Sequence, residues 1–390
     1  MNRRNVLLLA VAMACMTTSS VLSAQEDAKP DTVRVDTVAV PATTAEAAVD
    51  SAKPVIAFGA YVDTYFAWDF GQPDAFDRPF TTQPVRHDEF NVNLAFVEAR
   101  LTTEKVRGRV ALQAGTSVQA NYLGEPRVGI VSGPDLSRII QEAWGGVRVA
   151  KELWIDGGIY FSPIGWESWI SWDNPTYTRS LLADYTPYFV TGVRAVWTVS
   201  PEVTAQAQVV NGWQIISENN PDKSVIARID WQATKALTLA YATYAGNEQL
   251  DSLPSRTRFY NQLLAKVVAG HGWEFWGTFD VGVQTVPDSS SQAWYGTVVI
   301  ARKALSSSLA VVGRLEGHSD RDQVLIVTGT PDGFRTIGGS IGVDVQPTEY
   351  LKWRTELRGF SSSDPIWPSD GAPAGSESGG FIVTSLSLRF

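Results

Sequence analysis

One cysteine, three histidines and three methionines in 390 residues leave little for redox, metal or nucleophilic chemistry. Cys15 lies in the apolar segment at the amino terminus, so a chain processed beyond it has no thiol, disulfide or thiolate metal site. His87, His271 and His318 are scattered and show no metal-ligand spacing. No glycine loop of the GxxxxGK type is present to cradle a phosphate, and no cofactor is expected. A cationic surplus is missing too: the formal charge is −9, which removes nucleic acid as a partner. Beyond the first two dozen residues, no stretch reaches the roughly 18 apolar residues of a membrane helix. That leaves open a β-barrel, which crosses with about ten alternating residues per strand.

What the chain does have is aromatic and glycine content. Fourteen Trp, twelve Tyr and sixteen Phe accompany thirty-two Gly, a composition suited to twisted strands with aromatic belts. Arg3 and Arg4, the apolar run Val6 to Ala14 and the small-residue end Val21-Leu22-Ser23-Ala24 read as a secretory signal over residues 1–24. Removing it takes away those two arginines and no acid, moving the charge from −9 to −11. Residues 25–54 are rich in Pro, Ala, Thr and Asp, cannot repay their ordering entropy by burial, and read as a disordered periplasmic tether.

From Val55 to Phe390 strand-length segments are joined alternately by short and long connections. Seven short turns, such as Glu104-Lys105 and Lys151-Glu152, alternate with eight longer polar links, which predicts sixteen strands in an all-β, antiparallel up-and-down transmembrane barrel. Alternation supports it. In Leu351 to Arg358, Leu351, Trp353 and Leu357 oppose Lys352, Arg354, Glu356 and Arg358, so a slip of one residue would turn cations into lipid. In Phe90 to Leu101 the apolar phase shifts from Phe90, Val92 and Leu94 to Val97, Ala99 and Leu101, which predicts a β-bulge. Trp197, Trp231, Trp273 and Trp353 fall on the apolar face near short-turn ends, as an aromatic girdle would. A secreted β-sandwich also alternates, but it does not predict the long-short rhythm.

The last strand, Gly379 to Phe390, alternates and ends on Phe, and in this it resembles the terminal signature that the assembly machinery of outer-membrane barrels reads. The third long link, Ser162 to Pro187, is the most informative loop. Trp166, Trp169 and Trp172 recur every third residue, and Glu167, Asp173, Arg179 and Asp184 sum to −2. Either these Trp pack the loop against the wall, or the loop forms an aromatic, acidic constriction. Facing it are the inward cations Arg314, Lys352, Arg354, Arg358 and Arg389, interleaved with acids including Asp63, Glu316 and Glu356. A charge-lined lumen filters solutes by size and by field, although some of these pairs are expected to be lumen salt bridges.

Gly158-Ile159-Tyr160-Phe161, Thr178-Arg179-Ser180-Leu181, Thr191-Gly192-Val193-Arg194 and Val210-Asn211-Gly212-Trp213 resemble the β-barrel porin family of the OmpL-like group. The resemblance implies an outer-membrane porin for passive diffusion of small hydrophilic solutes or ions, with no catalytic residues to carry over. Its third loop would fold inward to narrow the lumen. Implied partners are outer-membrane lipid, the assembly machinery through Phe390, and, as an open alternative, further copies of the chain. The rival readings are a structural or adhesive barrel with a plugged lumen and a barrel hydrolase. For the hydrolase, His318 with Glu316, Ser319 and Asp320 is the sole constellation, and adjacent strand residues point apart.

Overall fold

A computed structural model of the chain describes residues 54–390. The expected export signal (residues 1–24) and all but the last residue of the expected tether (25–54) lie outside those residues. The strands are β1 (Val55–Asp69), β2 (Phe90–Thr102), β3 (Val106–Ala114), β4 (Ile140–Ala150), β5 (Leu153–Phe161) and β6 (Phe189–Ser200). They continue as β7 (Val203–Val210), β8 (Ser224–Gln232), β9 (Leu237–Asn247), β10 (Thr257–Ala269), β11 (Trp273–Gln284) and β12 (Gln292–Ala304). Then come β13 (Leu309–Asp320), β14 (Phe334–Thr348), β15 (Leu351–Ser362), a small hairpin of β16 (Trp367–Ser369) and β17 (Ala372–Ser376), and β18 (Ser378–Arg389). All except the hairpin close one antiparallel barrel in which sequence neighbours are hydrogen-bonded neighbours. Sixteen strands, seven short turns and eight long loops is the arrangement the connection rhythm predicts.

Closure is made by the first and last strands. Tyr61 pairs with Arg389 and the ladder runs to Asp69 opposite Phe381. The Ala60 and Phe390 backbones exchange hydrogen bonds of 2.6 and 3.0 Å, so Phe390 is tied into the seam. From Ala60 to Phe66 the first strand is therefore paired on both sides, which a strand needs in a medium without water.

The faces follow the sequence alternation. Lys352, Arg354, Glu356 and Arg358 point inward, and Leu357 sits outward at mid-strand, opposite Ile341 and Ile382. Trp197, Trp231 and Trp273 are exposed on the outer face. The expected bulge is at Asn93: Asp63 faces Leu94 while Thr64 faces Val92, leaving Asn93 without an opposite residue. The extra residue reverses the phase, so Leu94, expected outward with Phe90 and Val92, is instead fully buried inside, and Asn93 bonds Asp63 at 2.9 Å. Ser319 faces outward and His318 inward, so the hydrolase constellation does not assemble.

Parts of the interior are occupied by side chains and by inward-folded loops. One cluster joins Tyr61, Leu94 and Phe96 of the wall to Tyr122, Trp169, Ile170, Tyr188 and Phe189. Another joins Leu181, Ile326, Phe334, Ile366 and Trp367, contributed by three long loops and the wall. Gly282 on β11 is inward because Trp294 occupies the space: a Cβ there would lie 1.9 Å from the indole.

The two faces differ in what they tolerate. Leu357→Arg should lower the unfolding free energy in lipid or detergent by about 2–4 kcal/mol, whereas Gln206→Arg on the inner face should cost about 1 kcal/mol or less. Denaturant titration of the refolded barrel measures both, and equal costs would overturn the face assignment.

Candidate functional site

Loop 162–188 leaves β5 and re-enters at β6 after passing through the inside of the barrel. It has little regular structure. A 3₁₀ turn covers Ser171–Asp173, and a single helical turn, α1 (Leu181–Asp184), is capped by Ser180, whose hydroxyl accepts the Ala183 N–H at 3.2 Å. The Asn174 side chain braces the segment before it, accepting Ser168 N–H at 2.6 Å and donating to the Ser168 carbonyl at 2.8 Å. Most other backbone groups of the loop have no partner within it, and a buried carbonyl without a donor is costly.

The cationic wall supplies those donors. Arg354 donates to the carbonyls of Ser171, Asn174 and Pro175 at 2.7, 3.0 and 2.8 Å. Arg314 reaches the Thr178 carbonyl at 2.7 Å and both threonine hydroxyls, Thr176 and Thr178, at 3.1 and 2.9 Å. Arg358 donates to the Arg179 carbonyl at 2.9 Å, Lys352 to that of Trp172 at 2.8 Å, and Arg228 to those of Pro163 and Gly165 at 2.5 and 3.0 Å. The wall acids take the loop amides in turn: Glu356 accepts Thr178 N–H at 2.8 Å and Glu316 accepts Leu181 N–H at 2.7 Å.

These wall charges also satisfy one another. Arg314 lies 2.9 Å from Glu356 and 3.2 Å from Glu316, Arg358 2.7 Å from Glu316, and Arg354 2.8 Å from Asp344. All are buried. Against the expectation of a basic inner wall open to the lumen, Arg314, Arg354 and Arg358 are therefore engaged in binding the loop. Of the proposed lining, Lys352 is half-buried, and Arg389 keeps 42% of its side chain exposed while bonding Asp173 at 2.7 Å.

The loop's own residues face the wall as well. Trp169 is buried among Tyr122, Tyr188 and Phe189 and donates its indole N–H to Ser117 at 3.1 Å. Trp172 carries Lys352 over its ring at 4.5 Å, and Trp166 lies beneath Arg228 at 5.5 Å. Glu167 accepts the Ser180 N–H at 2.8 Å and the Ser180 hydroxyl. Burial pushes its carboxyl above the usual carboxylate range, and the Arg314 guanidinium opposes that shift. Asp184 accepts hydroxyls from Thr82 and Tyr188, each at 2.8 Å, and is raised by burial in the same way. Arg179 is buried over the Tyr188 ring at 3.5 Å.

Asp63 is the partner that sequence reading placed on the wall without assigning it a role. It accepts from Ser171, Asn93 and Ser387 at 2.9, 2.9 and 3.0 Å and from Tyr177 at 3.3 Å, linking loop, bulge and closing strand. At the far side of the lumen, Gly296 on β12 leaves room for Leu182; a Cβ there would fall 2.6 Å from Leu182 Cδ1. The loop thus spans from the β1 wall to β12. Gln83 of the first long loop donates to the Trp169 carbonyl at 2.9 Å, and Gln214 of the fourth accepts the Tyr188 N–H at 2.7 Å. No periodicity or spacing announces either contact.

The sequence profile described as "Putative beta-barrel porin-2, OmpL-like" matches residues 55–390. No curated protein sequence matches the chain. Among solved structures the fold is similar to the anion-selective porin from Comamonas acidovorans, at 8% identity and TM-score 0.57, covering 87% of this chain and 100% of that one. It is similar to Salmonella typhi OmpF in complex with daunomycin at 11% identity and TM-score 0.59, covering 86% and 97%. The outer membrane channel DcaP of Acinetobacter baumannii gives 10% identity and TM-score 0.57, covering 87% and 99%. At such identities the likeness is one of fold.

Arg354→Ala would remove the donor from the Asn174 and Pro175 carbonyls and leave Asp344 with Arg302 at 3.7 Å, and Arg314→Ala would remove the cation paired with Glu356 and a donor to the Thr178 carbonyl. Each should destabilise the docked loop by about 3–5 kcal/mol. Limited proteolysis of the folded barrel should then cut within residues 162–188, where the parent is resistant. Equal resistance would mean that aromatic packing alone holds the loop.

Proposed function

This chain belongs to the β-barrel porin-2, OmpL-like family, and on that premise we propose that it conducts small hydrophilic solutes or ions passively across the outer membrane, narrowed by loop 162–188. The observation that carries the narrowing is the docking of that loop across the inside of the barrel through Arg314, Arg354 and Arg358. A sixteen-stranded barrel is wide enough for an aqueous lumen, and a loop bound to its inner wall reduces the cross-section at one level. On this reading the short turns face the periplasm, residues 1–24 direct export, residues 25–54 form a tether, and Phe390 presents the last strand to the assembly machinery.

The extent of loop packing inside the barrel favours a second reading, in which the lumen is plugged and the loops bind a surface partner. Electrical recording separates the two. The refolded full chain in a planar bilayer should give discrete conductance steps, and replacing residues 164–186 by a short Gly-Ser linker should enlarge them several-fold. A folded barrel that never conducts, with or without the loop, would remove the channel reading; conduction unchanged by the replacement would remove the loop from the pathway.

A further inference from the structure

The charges of the inner wall are not balanced evenly along the barrel. Near the short-turn end, carboxylates are shared between cations. Glu98 accepts from Arg100 and Arg109 at 3.0 and 2.5 Å, and Asp156 from Arg107 and Arg194 at 2.9 and 2.8 Å. Glu274 lies 3.6 Å from both Lys266 and Arg302, and Asp344 is held between Arg302 and Arg354 at 3.7 and 2.8 Å. Arg109 also meets Glu142; counted once each, seven cations (Arg100, Arg107, Arg109, Arg194, Lys266, Arg302 and Arg354) stand against five carboxylates (Glu98, Glu142, Asp156, Glu274 and Asp344). Exposure deepens the imbalance: Arg100 and Arg302 keep 40% and 27% of their side chains in solvent, against 12%, 10% and 7% for Glu98, Glu274 and Asp344. What the lumen water meets at this end is mainly guanidinium.

Aromatic faces hold part of this charge in place. Arg107 lies 4.4 Å over Trp154 and Arg194 4.9 Å over Trp144, so their donor edges are kept in orientation without a further carboxylate. The acids of loop 162–188 do not offset it. Asp173 pairs with Arg389, Glu167 lies 4.0 Å from Arg314 with 7% of its side chain exposed, and Asp184 is buried in the field of Arg179 and Arg358. A narrow aqueous space with one sign of charge on a low-dielectric wall concentrates the opposite ion.

We infer that the lumen selects small anions over cations, and that the selecting element is the guanidinium-rich wall near the short turns rather than the acidic loop. The inference rests on the channel reading and names its solute class: inorganic anions and small solutes bearing carboxylate or phosphate groups. Such groups match the paired N–H donors of arginine, and the several weak contacts along β2, β3, β6 and β12 allow release as well as entry.

The test is the reversal potential of the refolded full chain under a potassium chloride gradient. The expected value lies toward the chloride equilibrium potential, with chloride several-fold more permeant than potassium. Arg100→Glu with Arg302→Glu, both solvent-reaching, should abolish or invert the preference, while Glu167→Gln should leave it in place. Potassium preference, equal permeability, or an unchanged preference in the double variant would overturn the inference while leaving the channel intact. If the folded barrel does not conduct at all, the channel reading fails instead, and titration calorimetry with inorganic pyrophosphate decides the wall: binding weakened by the double variant upholds an anion site there, and absence of binding overturns it.

Discussion

An irregular backbone inside a barrel has to find partners for its carbonyls, and here guanidinium groups provide them. Arg314, Arg354 and Arg358 each bond loop carbonyls and wall carboxylates at once, which a planar fork with several donors can do and a lysine ammonium cannot match in geometry. Buried ions of this kind contribute little net stability once their desolvation is counted. Their effect is positional: the loop has one low-energy seat, in which Thr178 lies against Glu356 and Arg314, and Leu181 against Glu316.

That constraint divides the wall into two regions with different roles. The arginines of β13 and β15 that bind the loop are removed from water and carry no field into an aqueous path. The cations on β2, β3, β6 and β12 share their carboxylates with one another and with Lys266 and Arg354, and Arg100 and Arg302 among them keep 40% and 27% of their side chains in solvent. The same residue type thus seats the loop in one region and lines the wall in the other. The loop's acids, which read in isolation as an acidic constriction, face cations: Asp173 pairs with Arg389, Glu167 lies 4.0 Å from Arg314, and Asp184 is buried in the field of Arg179 and Arg358.

Much of the barrel was legible before any coordinates because its physics is local. A strand with one face in lipid and one in water must alternate, so Leu351 to Arg358 declares its faces, and the phase change after Phe90 declares its bulge. The bulge still had a consequence that alternation did not reveal: Leu94 turns inward to join Trp169 and Tyr188. Loop 162–188 stood out through its tryptophans and its place after the fifth strand, and Arg314, Lys352, Arg354 and Arg358 were correctly turned inward. Which atoms meet was not legible. Arg354 lies 183 residues from Ser171 and Arg314 136 from Thr178, and nothing in spacing links positions so distant. Gln83 and Gln214 had no signal at all.

By itself the sequence determined the strands, their number and, apart from Leu94 at the bulge, the faces read along them, because lipid imposes a period-two pattern on every strand that crosses it. Only the tertiary structure decided which charges are spent and which remain. Pairing depends on where a flexible loop comes to rest against a curved wall, and that position is set by many weak donors and acceptors converging from strands far apart in the chain.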